Sequence, residues 1–384
     1  MRVSLVHDWL LGMRGGEKVL EAFCDLFPQA DIHTLLYNPE KVSDKIRARQ
    51  VRASWMQDLP RVDRYYRYLL PLMPQAIGRI DLSDRDLVVS CSHCVAKGVS
   101  LSRPGGRKAV HICYCNSPMR YVYDQFDNYF TQKNSSLGRL TKLGAQSMRA
   151  YLASWDRRSN QSVDLFVANS QNVRRRIQKH YDRDAEVIYP PVDVDFYTPG
   201  KAPSEDPYFL IAGALVPYKR VDLAVEAARR LNVRLKVVGV GTEEHPLRRL
   251  ARGAPVEFLG WQGAESLRDL YRGCVALLFP QEEDFGIAAV EALACGRPVI
   301  AYKAGGALET VEHGKTGLFF DRQEPDSLAM AMAAVNNMSF EPRELAAGAQ
   351  RFHRDLFKRR FSELAEKTVV ACRRGIERKQ ALPR

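Results

Sequence analysis

Apolar positions along this chain come in two alternating patterns: short continuous runs, and residues spaced by three and four. Val3 to His7 is a run of the first kind, Gly12 to Gly16 is a glycine-rich loop, and Glu17 to Phe27 carries Val19, Leu20, Phe23 and Phe27 at helical spacing. Together these predict a β-strand, a tight turn and an α-helix. Leu87-Val88-Val89, Ala109 to Cys115 and Leu165 to Ala168 are further strand candidates, each followed by polar or helix-like sequence. Strands that read as continuous apolar runs are those of parallel sheets covered on both faces. Leu59 to Gly78 reads as irregular helix, interrupted by Pro71 and Pro74.

The pattern stops at Tyr189-Pro190-Pro191-Val192-Asp193 and continues through Pro199-Gly200 to Pro203, where proline holds the backbone extended. It then restarts. Strands are expected at Phe209 to Gly213, Leu235 to Gly239, Val256 to Gly260, Val275 to Phe279 and Pro298 to Ala301, with helices at Val221 to Leu231, Ala264 to Tyr271 and Ile287 to Ala294. A chain of 384 residues exceeds the roughly 100 to 200 of one domain. The expectation is an α/β protein of two Rossmann-like domains, residues 1–195 and 196–349. A basic closing helix, from about 350 to 384, would pack back on the first.

Composition narrows the class. With 46% hydrophobic and 27% charged residues the chain is ordinary globular protein, and it holds no apolar run near the roughly 20 residues needed to span a bilayer. Met1 leads straight into the first strand without the plan of a signal peptide, so a cytoplasmic location is expected. The eight cysteines fall mostly inside apolar segments and read as reduced core thiols. Cys91-x-x-Cys94 lacks a second ligand pair, and Asp193-x-Asp195 resembles a metal pair only superficially, so no metal and no cofactor are expected. The net charge of +12 concentrates in Arg139 to Arg183 and Arg351 to Arg384. No nucleic-acid-binding signature accompanies it, which leaves an anionic membrane surface, a phosphate-rich substrate or solvated helix faces.

The strongest chemistry lies between Gln281 and Pro298. An acidic, glycine-containing loop runs from a strand end into a helix, and in open α/β sheets ligands bind at such strand ends. Amides around Phe285, Gly286 and Ile287 would face an anionic or hydroxyl-rich ligand, helped by the helix dipole. Glu283 and Glu291 flank the turn as acceptors for sugar or ribose hydroxyls, although acidic residues there also stabilise a first helical turn. This pair, followed by Gly296-Arg297-Pro298 and Gly305-Gly306, resembles the nucleotide-sugar site of family 4 retaining glycosyltransferases, whose GT-B architecture sets two Rossmann-like domains about a central cleft. Val6-His7-Asp8-Trp9-Leu10 with Arg14-Gly15-Gly16-Glu17, and His111 to Tyr121, look like bacterial mannosyltransferases that build surface polysaccharides.

The resemblance implies that Glu283 contacts the donor sugar and Glu291 the ribose. Lys219, with Arg220 beside it, would hold the diphosphate, and Gly15, Gly16 and Gly239 would let backbone approach the donor. Two positions depart from the family: Ala214 stands where an arginine is usual, and Asn116 where a histidine usually touches the sugar. An asparagine exchanges hydrogen bonds but takes no proton, so Asn116 joins Glu283 and Lys219 as a catalytic-site residue without a base role. His111, opening an apolar strand, reads as structural. Arg120, Asp124 and Asn169 are acceptor candidates, Arg120 and Asp124 equally as a local pair, while capping the following helix is the simpler role for Asn169-Ser170.

The resemblance implies as partners a nucleotide-diphosphate sugar, GDP-mannose first, and a glycan or lipid-linked acceptor. Two other classes stay open: a catalytically silent sugar-nucleotide-binding homologue, favoured by Ala214 and Asn116, and a nonhydrolysing sugar-nucleotide epimerase, for which no first-domain acid and base assemble. A dinucleotide dehydrogenase is disfavoured, because Gly239-Val240-Gly241 is followed by Glu244 where the third fingerprint glycine belongs.

Overall fold

A computed structural model describes residues 1–101, 109–123, 139–200 and 206–380. Two compact units emerge: residues 1–191 with 357–384, and residues 192–356. The chain leaves the first unit within the proline-rich segment and returns to it inside its last helix.

The first unit is built on β1 (Val3–His7), β2 (Asp31–Thr34), β3 (Val51–Ala53), β4 (Leu87–Ser92), β5 (Val110–Cys115), β6 (Leu165–Ala168) and β7 (Glu186–Val187). They form one parallel sheet in the order β3-β2-β1-β4-β5-β6-β7. The order reverses between β1 and β4, the place where doubly wound sheets open a crevice at their strand ends. Helix α1 (Gly15–Leu26) follows β1 and buries Val19, Leu20, Ala22 and Phe23 against the sheet. Helices α2 (Arg139–Ser159) and α3 (Gln171–Tyr181) flank β6 in sequence. The apolar run of β5 is buried along its whole length, as its unbroken hydrophobicity predicts. Leu59 to Gly78 breaks into short α and 3-10 turns, in keeping with its two prolines.

An ion pair fastens this unit internally. Lys97 is 1% exposed, and its ammonium donates to the Asp156 carbonyl, the Asp156 carboxylate and the Ser159 hydroxyl at 2.7, 2.7 and 2.5 Å. All three ammonium protons are thereby placed, the condition under which a buried charge is tolerated.

The second unit repeats the plan with β8 (Tyr208–Ala212), β9 (Arg234–Val238), β10 (Val256–Gly260), β11 (Leu277–Phe279), β12 (Val299–Tyr302) and β13 (Gly317–Phe320), parallel in the order β10-β9-β8-β11-β12-β13. Its switch point falls between β8 and β11. Helices α4 (Val221–Leu231), α5 (Glu244–Leu250), α6 (Ala264–Gly273), α7 (Ile287–Ala294) and α8 (Pro325–Val335) alternate with the strands, and α9 (Pro342–Ala349) closes the unit. Close backbone approach needs glycine at one place in particular. Gly239 has φ +130°, and a Cβ there would stand 1.8 Å from the Gly213 carbonyl oxygen. The Gly239 position of the sequence reading is therefore a packing requirement between the ends of β8 and β9.

The last helix, α10 (Arg354–Gln380), lays Phe357, Phe361, Ala365 and Val369 into the core of the first unit beside Phe23 and Tyr114. The closing helix, expected from about residue 350, begins at Arg354, and a 3-10 turn at Gln350–Phe352 divides it from α9. No helix among the described residues is long and apolar enough to cross a membrane.

Candidate functional site

The loops after β8 and β11 meet at the switch point of the second unit. The chain leaves β8 through Gly213 and Ala214, makes a 3-10 turn at Pro217–Lys219, and enters α4. The loop after β11 carries Gln281 to Gly286 into α7. Lys219 and Glu283 are ion-paired, the ammonium on the carboxylate oxygen Oε1, with side chains 16% and 18% exposed. A cation and a carboxylate are thus brought together from opposite sides of a strand-order reversal, both reachable from solvent. Gly213, Ala214, Lys219 and Gln281 line a small depression there.

Backbone requirements shape the acidic loop. Gly286 adopts φ +92°, and a Cβ on it would meet the Phe279 ring at 2.7 Å. Gly305 has φ +60°, with its Cβ position 2.4 Å from the Glu283 carbonyl oxygen, and the Gly306 amide donates to that oxygen at 2.7 Å. The glycine pair after β12 thus clamps the loop that presents Glu283. Phe285 is buried and packs edge-on against Phe352, ring centroids 5.3 Å apart. Ile287 opens α7 immediately after Gly286, so the first amides of that helix emerge beside the loop.

Glu291 has a different setting from Glu283. Helix α7 is apolar nearly all round, and Glu291 is 4% exposed, accepting the Tyr271 hydroxyl at 3.1 Å. Tyr197 also hydrogen-bonds to it. Burial, and then the Glu291 charge, push both phenols well above the ordinary tyrosine range. Arg220, in the left-handed region at φ 50°, reaches its neighbour Asp222 through Nε and Nη2 at 3.1 to 3.3 Å and so marks the start of α4. Ala214 offers no cation, and Arg220 is drawn to Asp222.

In the first unit, Gly15 and Gly16 open α1, and Asn116 ends β5. A Cβ at Gly16 would stand 3.5 Å from the Asn116 Nδ2 and 3.2 Å from the His7 Nε2, so glycine lets these groups approach the helix start. The Asn116 amide donates to the Cys91 sulfur at 3.2 Å, and burial raises that thiol well above its ordinary value. His111 Nε2 meets the Ser90 hydroxyl at 2.8 Å and its Nδ1 the Ser162 carbonyl at 3.2 Å, a satisfied structural histidine. Asn169 donates to the Asn116 carbonyl at 2.9 Å, while the neighbouring Ser170 caps α3. Arg120 begins a short helical turn, and Asp124 lies outside the described residues.

One constellation carries no motif in the sequence. Asp8, at the end of β1 and fully buried, accepts the backbone amides of His93, Cys94, Val95 and Ala96 at 2.6 to 3.1 Å, and the His93 Nδ1 at 2.8 Å. Burial alone would raise the Asp8 carboxyl, but His93 and these donors hold it well below the usual carboxylate range. The visible signal was an aspartate directly after an apolar strand.

Residues 13–196 match the family described as Glycosyltransferase Family 4, and residues 198–351 match Glycosyl transferases group 1. The D-inositol 3-phosphate glycosyltransferase of Geodermatophilus obscurus is 32% identical over 254 residues, 56% of this chain and 56% of that protein. The chain thus spans about half the length of such curated relatives. Sucrose-phosphate synthase of Thermosynechococcus elongatus aligns with a TM-score of 0.68 at 17% identity, covering 97% of this chain and all of that one. Anabaena HepE in complex with UDP-glucose aligns at 0.64 and 19%, covering 96% of this chain and all of that one. At these identities the structural likeness speaks for the fold alone. With two Rossmann-like units and two family matches running in order from residue 13 to residue 351, the chain belongs to the family 4-type glycosyltransferases of GT-B fold.

Proposed function

We propose that this protein is a retaining hexosyltransferase that takes a nucleotide-diphosphate sugar and passes the sugar to a glycan or lipid-linked acceptor. The observation that carries the reading is the pairing of Lys219 with Glu283 at the switch point, above a glycine-clamped loop. Lys219 would bind the diphosphate and stabilise the charge that grows on it as the glycosidic bond breaks, a role that fixed cations and amides fill without a metal. Glu283 would hold the sugar hydroxyls. Glu291 would reach the ribose, with Tyr271 and Tyr197 setting its orientation. The leaving diphosphate would take the proton of the incoming hydroxyl on the same face, so Asn116 need supply no base.

The donor is proposed to be GDP-mannose, on the resemblance of the opening segment and of His111 to Tyr121 to mannosyltransferases of surface polysaccharides. HepE was solved with UDP-glucose, which makes UDP-hexoses the competing donors. Trp261, 76% exposed directly after β10, is a flat surface on which a base could stack. A panel of GDP-, UDP- and dTDP-sugars decides this by thermal denaturation, because a ligand bound only by the folded state raises its melting temperature. GDP-mannose should give the largest shift; a larger shift with a UDP-hexose would reassign the donor, and none with any of them would remove the reading.

The acceptor is proposed to be presented at an anionic membrane surface, given the +12 charge and exposed bases such as Arg175 on α3. Co-sedimentation with vesicles rich in anionic lipid should occur at low salt and fade as salt screens it. Equal indifference to anionic and neutral vesicles at low salt would rule this part out.

A further inference from the structure

The Asp8–His93 pair sits at the β1/β4 switch point of the first unit and has no part in the function proposed above. Four backbone amides already satisfy the Asp8 carboxylate. The turn after β4 therefore does not need a fifth donor, and the imidazole contact reads the other way round: Asp8 orients His93. The His93 Nδ1 donates to Asp8 Oδ2 at 2.8 Å, and the ring stands edge-on to Trp9, centroids 4.6 Å apart and planes at 85°. Trp9 is itself braced against Tyr66 at 5.3 Å. A ring held on two sides, with its side chain still 30% exposed, offers its remaining nitrogen, Nε2, outward.

The charges around that nitrogen are sorted by depth. Asp8 is fully buried and Glu17 is 5% exposed, its carboxylate accepting the Arg14 amide at 3.0 Å. The solvent-facing groups are His93 and the exposed Arg14, which precedes the start of the twelve-residue helix α1. His7, neutral because burial lowers its pKa, is fully buried, and its Nε2 has no hydrogen-bond partner while lying 3.2 Å from the Cβ position of Gly16. Buried carboxylates behind, and a histidine, an arginine and free helix amides in front, make a face for an anion.

We infer that His93, positioned by Asp8 and Trp9, donates a hydrogen bond from Nε2 to a phosphoryl oxygen of the substrate. The inference deepens the transferase reading, from which it takes its ligand class, and two sources carry that chemistry: the diphosphate of the donor, and the diphosphate of a lipid-linked acceptor. The electrostatics support it. Burial opposes a charge on His93, yet the Asp8 charge and hydrogen bond, with Glu17, raise its pKa against the opposing Arg14, which favours the doubly protonated, donor form.

The test measures affinities of the full chain and its His93→Ala and His93→Gln variants for GDP, farnesyl diphosphate and guanosine by calorimetry. Losing a charge-assisted hydrogen bond should weaken one diphosphate roughly 10-fold or more while guanosine is unaffected, with His93→Gln, which keeps a donor, retaining part of the affinity. Loss for GDP assigns the contact to the donor; loss for farnesyl diphosphate assigns it to the acceptor. For the positioning role, Asp8→Asn should lower the pKa of the His93 ring, read by its imidazole resonances. If both diphosphates bind the His93→Ala variant as they bind the unaltered protein, the inference is wrong, as it is if the unaltered protein binds neither. The two readings fail separately. A chain that transfers no hexose but shows His93-dependent diphosphate binding loses the transferase reading alone, and a working transferase indifferent to His93→Ala loses this one alone.

Discussion

Replacing Glu283 with Gln should lower the rate of hexose transfer by about 10²- to 10³-fold while leaving nucleoside diphosphate affinity close to unchanged. The substitution keeps the side chain's length and removes only its charge. Glu283 stands in a loop whose backbone is fixed by Gly286, Gly305 and Gly306, so the amide should occupy the same place. What is lost is acceptance of hydrogen bonds from sugar hydroxyls by an anion, worth most when positive charge grows on the sugar ring. The effect should therefore fall on kcat and kcat/KM together, the mark of an interaction made chiefly in the transition state. An unchanged kcat would move the sugar contact elsewhere.

Replacing Lys219 with Ala should cut kcat/KM by about 10²- to 10³-fold and, unlike the first variant, weaken nucleoside diphosphates more than the free nucleoside. Ala214 has no cation to give, and Arg220 is drawn to Asp222. Because Lys219 and Glu283 touch, the two changes should not be additive, and the double variant should lose less than the product of the single losses. Steady-state kinetics with calorimetry on the three variants checks both statements. Parallel losses for nucleoside and nucleoside diphosphate would show that Lys219 does not read the phosphates.

The helices Val221–Leu231 and Ile287–Ala294 were legible from spacing alone, since each follows an apolar strand and turn signals and carries a stripe or block of apolar residues. Strand β2 was not. Asp31 and His33 lie inside it, buried, where a hydrophobic run would be expected. The structure explains them as a polar knot: Asp31 accepts from Ser4 and meets His33 at 3.1 Å and Arg85 at 2.8 Å. Burial pushes its carboxyl up, but these donors win and leave it at about 2. A local pattern cannot show partners that come from β1 and from the turn before β4.

The site divides in the same way. Glu283 and Lys219 each follow a strand and carry a motif, so their positions could be read, although their ion pair could not. Arg220 looked like a second phosphate ligand because its partner, Asp222, sits two residues away on a helix whose start only the coordinates define. Asp8 and His93 stand far apart in the chain and become neighbours only because β4 crosses over to pair with β1. Cys91 and Cys94, on either side of His93, read in the sequence as core thiols, and in the fold both are buried.

The most direct test of the account is the fate of a nucleotide-hexose, radiolabelled in the sugar, incubated with the protein and a lipid-diphosphate-linked glycan acceptor. The account predicts stoichiometric release of nucleoside diphosphate and a labelled glycan whose new linkage keeps the anomeric configuration of the donor. Recovery of the label as an epimerised nucleotide sugar, or tight donor binding with no product across GDP-, UDP- and dTDP-hexoses, would contradict it.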